Sequence, residues 1–452
     1  MKKISARAFI CLILCAVMLA GTAFYCVRFA VKGADWATAD FNTDLYNQGQ
    51  LARGRVLDRD GVVLSSVDEN KNRIYNESEA VRKATLHAVG DKNGYIAAGA
   101  VNAFTDQLSG YNFVTGLNDN NEGNDLYLTI NSDFNVAAYN AIGNKKGTVL
   151  VYNYKTGEIL CMVSTPTFDP MNVPADITDG NKYEGVFINR ALSGLYTPGS
   201  TMKTVTMAAA IENISDLDSK TYLCEKYYQI GVDKVTCAGR HGEIDAYNAL
   251  VHSCNSAFAQ ISLSLGPDKI RKYFEKAGLT SKYNVNGIMT AAGSLGAMKS
   301  DMSIAWSGIG QDDDMVNPMA MAVYMGAVAN GGKAAKPQII SKVTSAKGSP
   351  KSFYSASMTG TLIEKTTADK LSNMMKGAVE KEYGSGLFPD LDAYAKSGTA
   401  EVSGDNEDAW FVGFLKDKDY PYAFAVVVEE GGSGTRTAGR IASTVIKEMT
   451  GK

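Results

Sequence analysis

The sequence predicts a mixed α/β (α+β) protein: an antiparallel sheet carrying a helical insertion, preceded by a β-rich region and one N-terminal transmembrane helix. Three observations point there. Residues 8–27, "AFICLILCAVMLAGTAFYCV", hold no charged side chain. Short apolar runs of strand character cluster around 52–66, at 147–164 and again at 393–428. Between the last two clusters lie longer stretches with apolar residues at helical spacing.

The elements follow in chain order. At about 1.5 Å per residue the uncharged run spans about 30 Å, the thickness of a bilayer core. Lys2, Lys3 and Arg7 precede it, which puts the N-terminus in the cytoplasm and the bulk of the chain outside. A signal peptide cleaved at "GTA" is the rival. The run continues past that site and exceeds an ordinary signal h-region, so a retained anchor is expected. Residues 52–66, "ARGRVLDRDGVVLSS", alternate around "DRDG" as in a hairpin. Residues 76–124 are polar and mixed and show no clear period. "DLYLTI" reads as a strand and "FNVAAYNAI" as a helix; "GTVLVYNY" and "EILCMVS" read as strands joined by "KTG". Helices are expected at 201–212, 244–263 and 317–329. The strands "AYAKSGTAEV", "AWFVGFL" and "YAFAVVVEE" follow, then a helix over 439–449.

At 452 residues the chain is long enough for two or three domains. Lys plus Arg (45) nearly balances Asp plus Glu (48), and no basic run occurs, which excludes a nucleic-acid partner. The three histidines, His87, His241 and His252, show no metal-ligand spacing, so neither a zinc site nor a cofactor is expected. Cys11, Cys15 and Cys26 fall in the membrane segment; Cys161, Cys224, Cys237 and Cys254 lie outside it. Cys224 and Cys237 either close a small loop or remain free buried thiols.

Three short motifs carry chemistry. In "YTPGSTMKTVTMAAAIE", Pro198-Gly199 reads as a turn, and Met202, Val205, Ala208, Ala209 and Ile211 mark a helix. Ser200 sits at its N-terminal end, where free N–H groups and the helix dipole favour developing negative charge. Lys203, three residues on, shares its face. Alone, such a pair reads as an N-cap serine and a solvated lysine. Further on, "HSCNSAF" supplies Ser253 and Asn255, and "YAKSGTAEV" supplies Lys396, Ser397, Gly398 and Thr399 on a strand. A second K-T-G, Lys155-Thr156-Gly157, precedes the serine helix and reads as a hairpin turn. The order S-x-x-K, S-x-N, K-S-G is the motif set of β-lactamases and penicillin-binding proteins.

With these motifs the chain resembles the class B penicillin-binding proteins, the monofunctional peptidoglycan transpeptidases. "RGRVLDRDGVVLSS" is similar to the signature of that family's non-catalytic pedestal, and "TGEILCMVSTPTFDPMN" to a second family segment. "GIGQDDDMVNPMAMAVYMGAVANGG" is similar to a third, with Met319 and Ala320 where Leu and Gln are usual; "DAWFVGF" matches the strand after K-[ST]-G. The resemblance implies a β-lactamase/transpeptidase-like fold. It implies residues 1–7 as a cytoplasmic tail, 8–30 as anchor, 31–145 as a dimerisation-type pedestal and 146–452 as the penicillin-binding transpeptidase domain.

Acyl transfer needs a nucleophile, a base, a proton route and an oxyanion site. By resemblance, Ser200 attacks the carbonyl between the two terminal D-alanines of a stem pentapeptide. Lys203 accepts its proton, which requires a neutral amine; desolvation and the neighbouring cation Lys396 favour that form. Ser253 relays the proton toward the leaving amine, and Asn255 holds Lys203 and a substrate amide. The N–H groups of Ser200 and Thr399 form the oxyanion hole. The hydroxyls of Ser397 and Thr399, with the charge of Lys396, bind the terminal carboxylate. Gly398 leaves room for substrate to lie along the strand. Cys254 is expected to face away from the site, and His241 and His252 to be structural. Gln311 and Asp408 either border the cleft or brace the sheet.

The implied partners are the stem peptide, β-lactam antibiotics and a multi-span membrane glycan polymerase serving shape, elongation, division or sporulation. A β-lactamase is the first rival, but residues 257–395 lack the E-x-x-x-N element of its class A members. A D,D-carboxypeptidase shares the motifs and differs by product. A β-lactam sensor would need several membrane helices where one is expected, and a non-catalytic scaffold would not keep every motif residue.

Overall fold

The computed structural model of the chain describes residues 2–37, 54–70, 72–111, 116, 123–384, 386–402 and 406–452. Ala52 and Arg53 of the expected hairpin lie outside them. The N-terminal helix runs Lys2–Ala37 and contains the apolar span Ile4–Gly33, long and apolar enough to cross a membrane. The expected anchor, 8–30, falls inside it.

A five-stranded antiparallel sheet forms the centre, in the order Ala393–Glu401, Glu407–Leu415, Tyr422–Val428, Gly147–Asn153, Ile159–Thr165. The N-terminal hairpin is therefore joined to the C-terminal strands through Val149↔Val426 and its neighbours. Side chains alternate across this sheet because the strand period is two. Val149, Val151 and Phe411 face one core with Ala138, Ile142, Ile441 and Val445 from helices Ser132–Ile142 and Arg440–Thr450. Leu150, Tyr152 and Val412 face the other, shared with helices Lys203–Asn213, Asn255–Leu265 and Pro318–Ala329. Burial on both faces explains why Tyr422–Val428 reads as an unbroken apolar run. Pro318–Ala329 is buried all round, and Asn317 caps it by accepting from the Met319 and Ala320 N–H groups.

The second large sheet has six strands, ordered Pro350–Phe353, Ile340–Ser345, Asn124–Leu128, Val56–Leu57, Val63–Val67, Arg73–Tyr75. The "DRDG" hairpin forms as expected: Asp58 Oδ1 accepts from the Asp60 and Val62 N–H groups, and Gly61 takes φ +90°. The boundary expected at 145/146 does not divide this sheet. Ile340–Ser345 and Pro350–Phe353, far down the chain, add to it through Val343↔Leu126. That pairing is non-local and leaves no turn signal in the sequence. Within the unassigned 76–124 region, helix Glu79–Val89 forms behind Ser78, whose side chain accepts from the Val81 N–H.

Two expected helices differ in detail. Residues 201–212 resolve into a 3-10 turn, Gly199–Thr201, followed by helix Lys203–Asn213. Residues 244–263 split into strand Gly242–Asp245, helix Ala246–Val251 and helix Asn255–Leu265. The break falls at Ser253, which adopts φ +54°, a left-handed conformation uncommon outside glycine.

Candidate active site

The serine turn is held between two strands of contact. Tyr196 and Val316 exchange both backbone hydrogen bonds, at 3.1 and 2.8 Å, and the Gly199 N–H donates to Gly310 O at 2.8 Å. From the sheet, Trp410 Nε1–H donates to Thr197 O at 2.9 Å. Gly199 has φ +54°, and a Cβ there would lie 2.7 Å from Thr399 O, so glycine is required both by conformation and by approach. The first backbone bond of the turn runs from Met202 N–H to Gly199 O, which leaves the Ser200 N–H over for a ligand. Ser200 is part-exposed, and among the described residues its Oγ has no hydrogen-bond partner.

Lys203 opens the following helix and is 0% exposed. Its Nζ donates to Asn255 Oδ1 at 2.6 Å, Ser253 O at 2.7 Å and Ser253 Oγ at 3.1 Å. Lys396, also fully buried, donates to the same Ser253 Oγ at 2.9 Å and to Ser397 O at 3.0 Å. The left-handed turn at Ser253 thus aims one hydroxyl between two lysines. A hydroxyl has two lone pairs and one proton; with both lone pairs engaged, its proton is left to point elsewhere. Burial brings the Lys203 amine down to about 8 from 10.5, while Cys237 and Cys254 pull it the other way. Burial and the Lys203 charge together hold Lys396 well below the usual lysine range.

Strand Ala393–Glu401 is an edge of the central sheet. Ser397 N–H turns outward and donates to Tyr383 OH at 2.8 Å. By the strand period the Thr399 N–H opens on the same edge, beside the serine turn. Thr399 Oγ1 accepts from Gly434 N–H at 3.2 Å, which leaves its own proton available. Gly398 lies against the serine turn. A Cβ there would meet Pro198 O at 2.9 Å and Thr201 Cγ2 at 3.0 Å, so its missing side chain makes room for the serine turn. Asp408 Oδ1 accepts from Glu430 N–H at 3.0 Å and braces the strand end. Gln311 N–H donates to Trp306 O at 2.9 Å.

The structure therefore brings Lys203, Ser253, Asn255 and Lys396 into one hydrogen-bonded group, with Ser200 on the turn preceding Lys203 and Ser397 to Thr399 on the adjoining strand edge. Sequence reasoning missed two features. Asp314 is fully buried, accepts from Gly296 N–H at 2.9 Å and from Ser307 Oγ, and is pushed up to about 7 by burial. The second is a cluster beside Ser253. Cys254, expected to face away from the site, joins Cys224, Cys237 and His241, all with ligand atoms within 4.8 Å of one another. Cys224 and Cys237 are free thiols. Only Cys237 and His241 stand close in sequence; the fold brings Cys224 and Cys254 to them.

Residues 147–450 match the family model described as the penicillin-binding protein transpeptidase domain. The chain belongs to that family. Peptidoglycan D,D-transpeptidase PbpA of Mycobacterium tuberculosis is 28% identical over 72% of this chain and 71% of its own. Penicillin-binding protein 3 of Bacillus subtilis is 27% identical over 79% of this chain and 57% of its own. Among solved structures, the D,D-transpeptidase domain of a peptidoglycan glycosyltransferase from Eggerthella lenta superposes with TM-score 0.78 at 28% identity, covering 89% of this chain and 99% of that one. A ceftriaxone acyl-enzyme of penicillin-binding protein A from M. tuberculosis has the same fold, with TM-score 0.77, 24% identity, and 88% and 98% of the two chains covered. Within the family this chain is a class B penicillin-binding protein, a D,D-transpeptidase.

Proposed function

We propose that the protein cross-links peptidoglycan stem peptides through an acyl-enzyme on Ser200, as a single-pass membrane enzyme whose catalytic domain lies outside the cytoplasm. Ser200 Oγ attacks the carbonyl between the terminal D-alanines. Lys203 accepts the hydroxyl proton, and Ser253 passes a proton to the leaving D-alanine amine. The N–H groups of Ser200 and Thr399 hold the oxyanion. Ser397, Thr399 and Lys396 hold the terminal carboxylate, and Asn255 fixes Lys203 and a substrate amide. The amine of a second stem peptide then takes the acyl group and frees Ser200. A β-lactam enters by the same attack and stays, because its acyl-enzyme keeps the leaving group attached. The anchor and the strands on its C-terminal side meet a membrane glycan polymerase, in cell-wall growth that serves shape, elongation or division.

One observation carries this reading: two buried lysines converge on Ser253 Oγ, at 3.1 and 2.9 Å, directly behind the serine turn. Such a pair has little structural purpose, since burying two ammonium groups is costly. The test is intact mass of the full-length chain in detergent after incubation with benzylpenicillin, beside Ser200→Ala. One stable adduct, absent from the variant, is expected, and a pentapeptide substrate with an acceptor amine then yields cross-linked dimer. Rapid antibiotic hydrolysis without an adduct identifies a β-lactamase instead, and trimming without dimer a carboxypeptidase.

A further inference from the structure

Tyr383 makes the strand edge beside the serine turn read only the end of a peptide, we infer: its phenol stops the donor at its last residue and donates to the terminal carboxylate. The inference rests on the acyl-transfer reading given above. Strand Ala393–Glu401 pairs with Glu407–Leu415 on one side and is an edge on the other. Such an edge is where an extended peptide adds through main-chain hydrogen bonds. Here one end of it is already occupied. Ala393 N–H donates to Leu391 O at 3.0 Å, and Ser397 N–H donates to Tyr383 OH at 2.8 Å. Ser397 O accepts from Lys396 Nζ at 3.0 Å. Both main-chain groups of Ser397 are therefore taken by the protein itself.

The direction of the donor follows. With its scissile carbonyl on the Thr399 N–H and its terminal carboxylate toward Ser397 and Lys396, the donor runs antiparallel to the strand, and its C-terminal side meets the phenol. A peptide that continued past the terminal D-alanine would need the Ser397 groups as strand partners and would have to displace the tyrosine. One that ends there needs no strand partner, because its carboxylate takes side-chain donors instead.

Local structure places Tyr383 for this. It ends Val379–Tyr383, a wide π-type turn that follows helix Lys365–Ala378. Turns of this kind recur at functional sites. The Tyr383 ring meets Phe411 edge-on, with centroids 5.3 Å apart. The neighbouring Glu382 carboxylate is hydrogen-bonded to His252 Nδ1, which ties the turn to the segment before Ser253. Tyr383 is half-buried. A phenol oxygen that accepts a hydrogen bond still carries its own proton, and among the described residues no acceptor takes it. Burial pushes the phenol up to about 12, so the proton stays in place at neutral pH. A carboxylate arriving beside Ser397 would receive it in a charge-assisted hydrogen bond, stronger than a neutral one.

The experiment compares acylation of the full-length chain in detergent by benzylpenicillin and by its methyl ester, in wild type and in Tyr383→Phe, by quenched intact mass. The variant keeps the ring for Phe411 and loses only the hydroxyl. The preference for free acid over ester should fall about tenfold, with the ester rate changed by less than about twofold. A preference kept within about twofold overturns the inference, and so does an equal loss on both compounds, which marks a purely structural phenol. For the stop, Tyr383→Ala should let a stem peptide extended by one glycine slow benzylpenicillin acylation nearly as well as the unextended peptide, whereas wild type favours the unextended one at least about fivefold. Equal discrimination in the two chains overturns the stop. A wild-type chain that takes neither compound overturns the Ser200 reading and this inference with it, and shows itself by the absence of any mass shift.

Discussion

If Lys203 takes the proton of Ser200, acylation by benzylpenicillin rises with pH through a midpoint of about 8, the value to which burial brings its amine from 10.5. The drop is worth about 3 kcal/mol of charge desolvation and raises the neutral fraction at pH 7 on the order of 10²-fold. Stability follows the same direction. The unfolded lysine keeps its proton up to 10.5 and the folded one gives it up at about 8, so between these values the unfolded chain binds more protons and unfolding becomes harder as pH rises. The perturbation is Lys203→Arg, which keeps a cation at the position but cannot yield a neutral base. The second-order acylation rate, read by quenched intact mass from about pH 6 to about 9.5, should fall about 10²- to 10⁴-fold in the variant and lose its slope. The melting temperature of each chain is followed in parallel, to separate lost chemistry from lost fold. A wild-type profile flat across that range, or an arginine variant within tenfold of wild type with the same slope, would refute a base role for Lys203.

Two further outcomes follow from backbone and burial. Asp314 ionises at 3.8 when unfolded but at about 7 when folded, so its favourable contribution is complete below 3.8 and is lost as pH rises through about 7. Asp314→Asn should therefore flatten the decline in melting temperature between about pH 5 and about 8, and an unchanged decline would put the titrating group elsewhere. At Ser253, alanine and glycine both remove the hydroxyl, but only glycine accepts φ +54° without strain. Ser253→Gly should be more stable than Ser253→Ala by about 1 kcal/mol in denaturant titration, with acylation equally slow in both; equal stabilities would mean the turn stores no strain.

Much of the site was legible because its chemistry is packed into short motifs. Ser200 and Lys203 stand one turn apart, Ser253 and Asn255 flank a single residue, and Lys396 to Thr399 are consecutive, so each motif reads without knowledge of the fold. Most of the central strands were legible for a different reason: with helices on both faces, their interiors are long apolar runs, as in Tyr422–Val428. What stayed hidden depends on long-range contact. Apolar residues run on both sides of "HSCN", and no glycine or proline marks the left-handed break at Ser253. Helix Glu79–Val89 is polar in its first half and buried all round from Ala84 to Val89, so it shows no one-faced helical period. The pairing of Ile340–Ser345 with Asn124–Leu128 joins segments that no local signal connects.

The motifs also look different once assembled. The glycines near the serine turn are tightly packed. A Cβ on Gly310 would lie 2.1 Å from Gly199 O, one on Gly199 would press on Thr399 O, and one on Gly398 would meet Pro198 O. Three backbones from distant parts of the chain stack here without side chains between them. That stacking holds the serine turn close against strand Ala393–Glu401. The two lysines are fixed from behind by the opposite means, a strained turn with polar partners on every side. Among the described residues Ser200 Oγ has no protein partner, and it stands on the turn just before a buried amine of lowered basicity. Preorganisation of that kind is what an acyl transfer needs before substrate arrives, because nothing then has to move when negative charge develops.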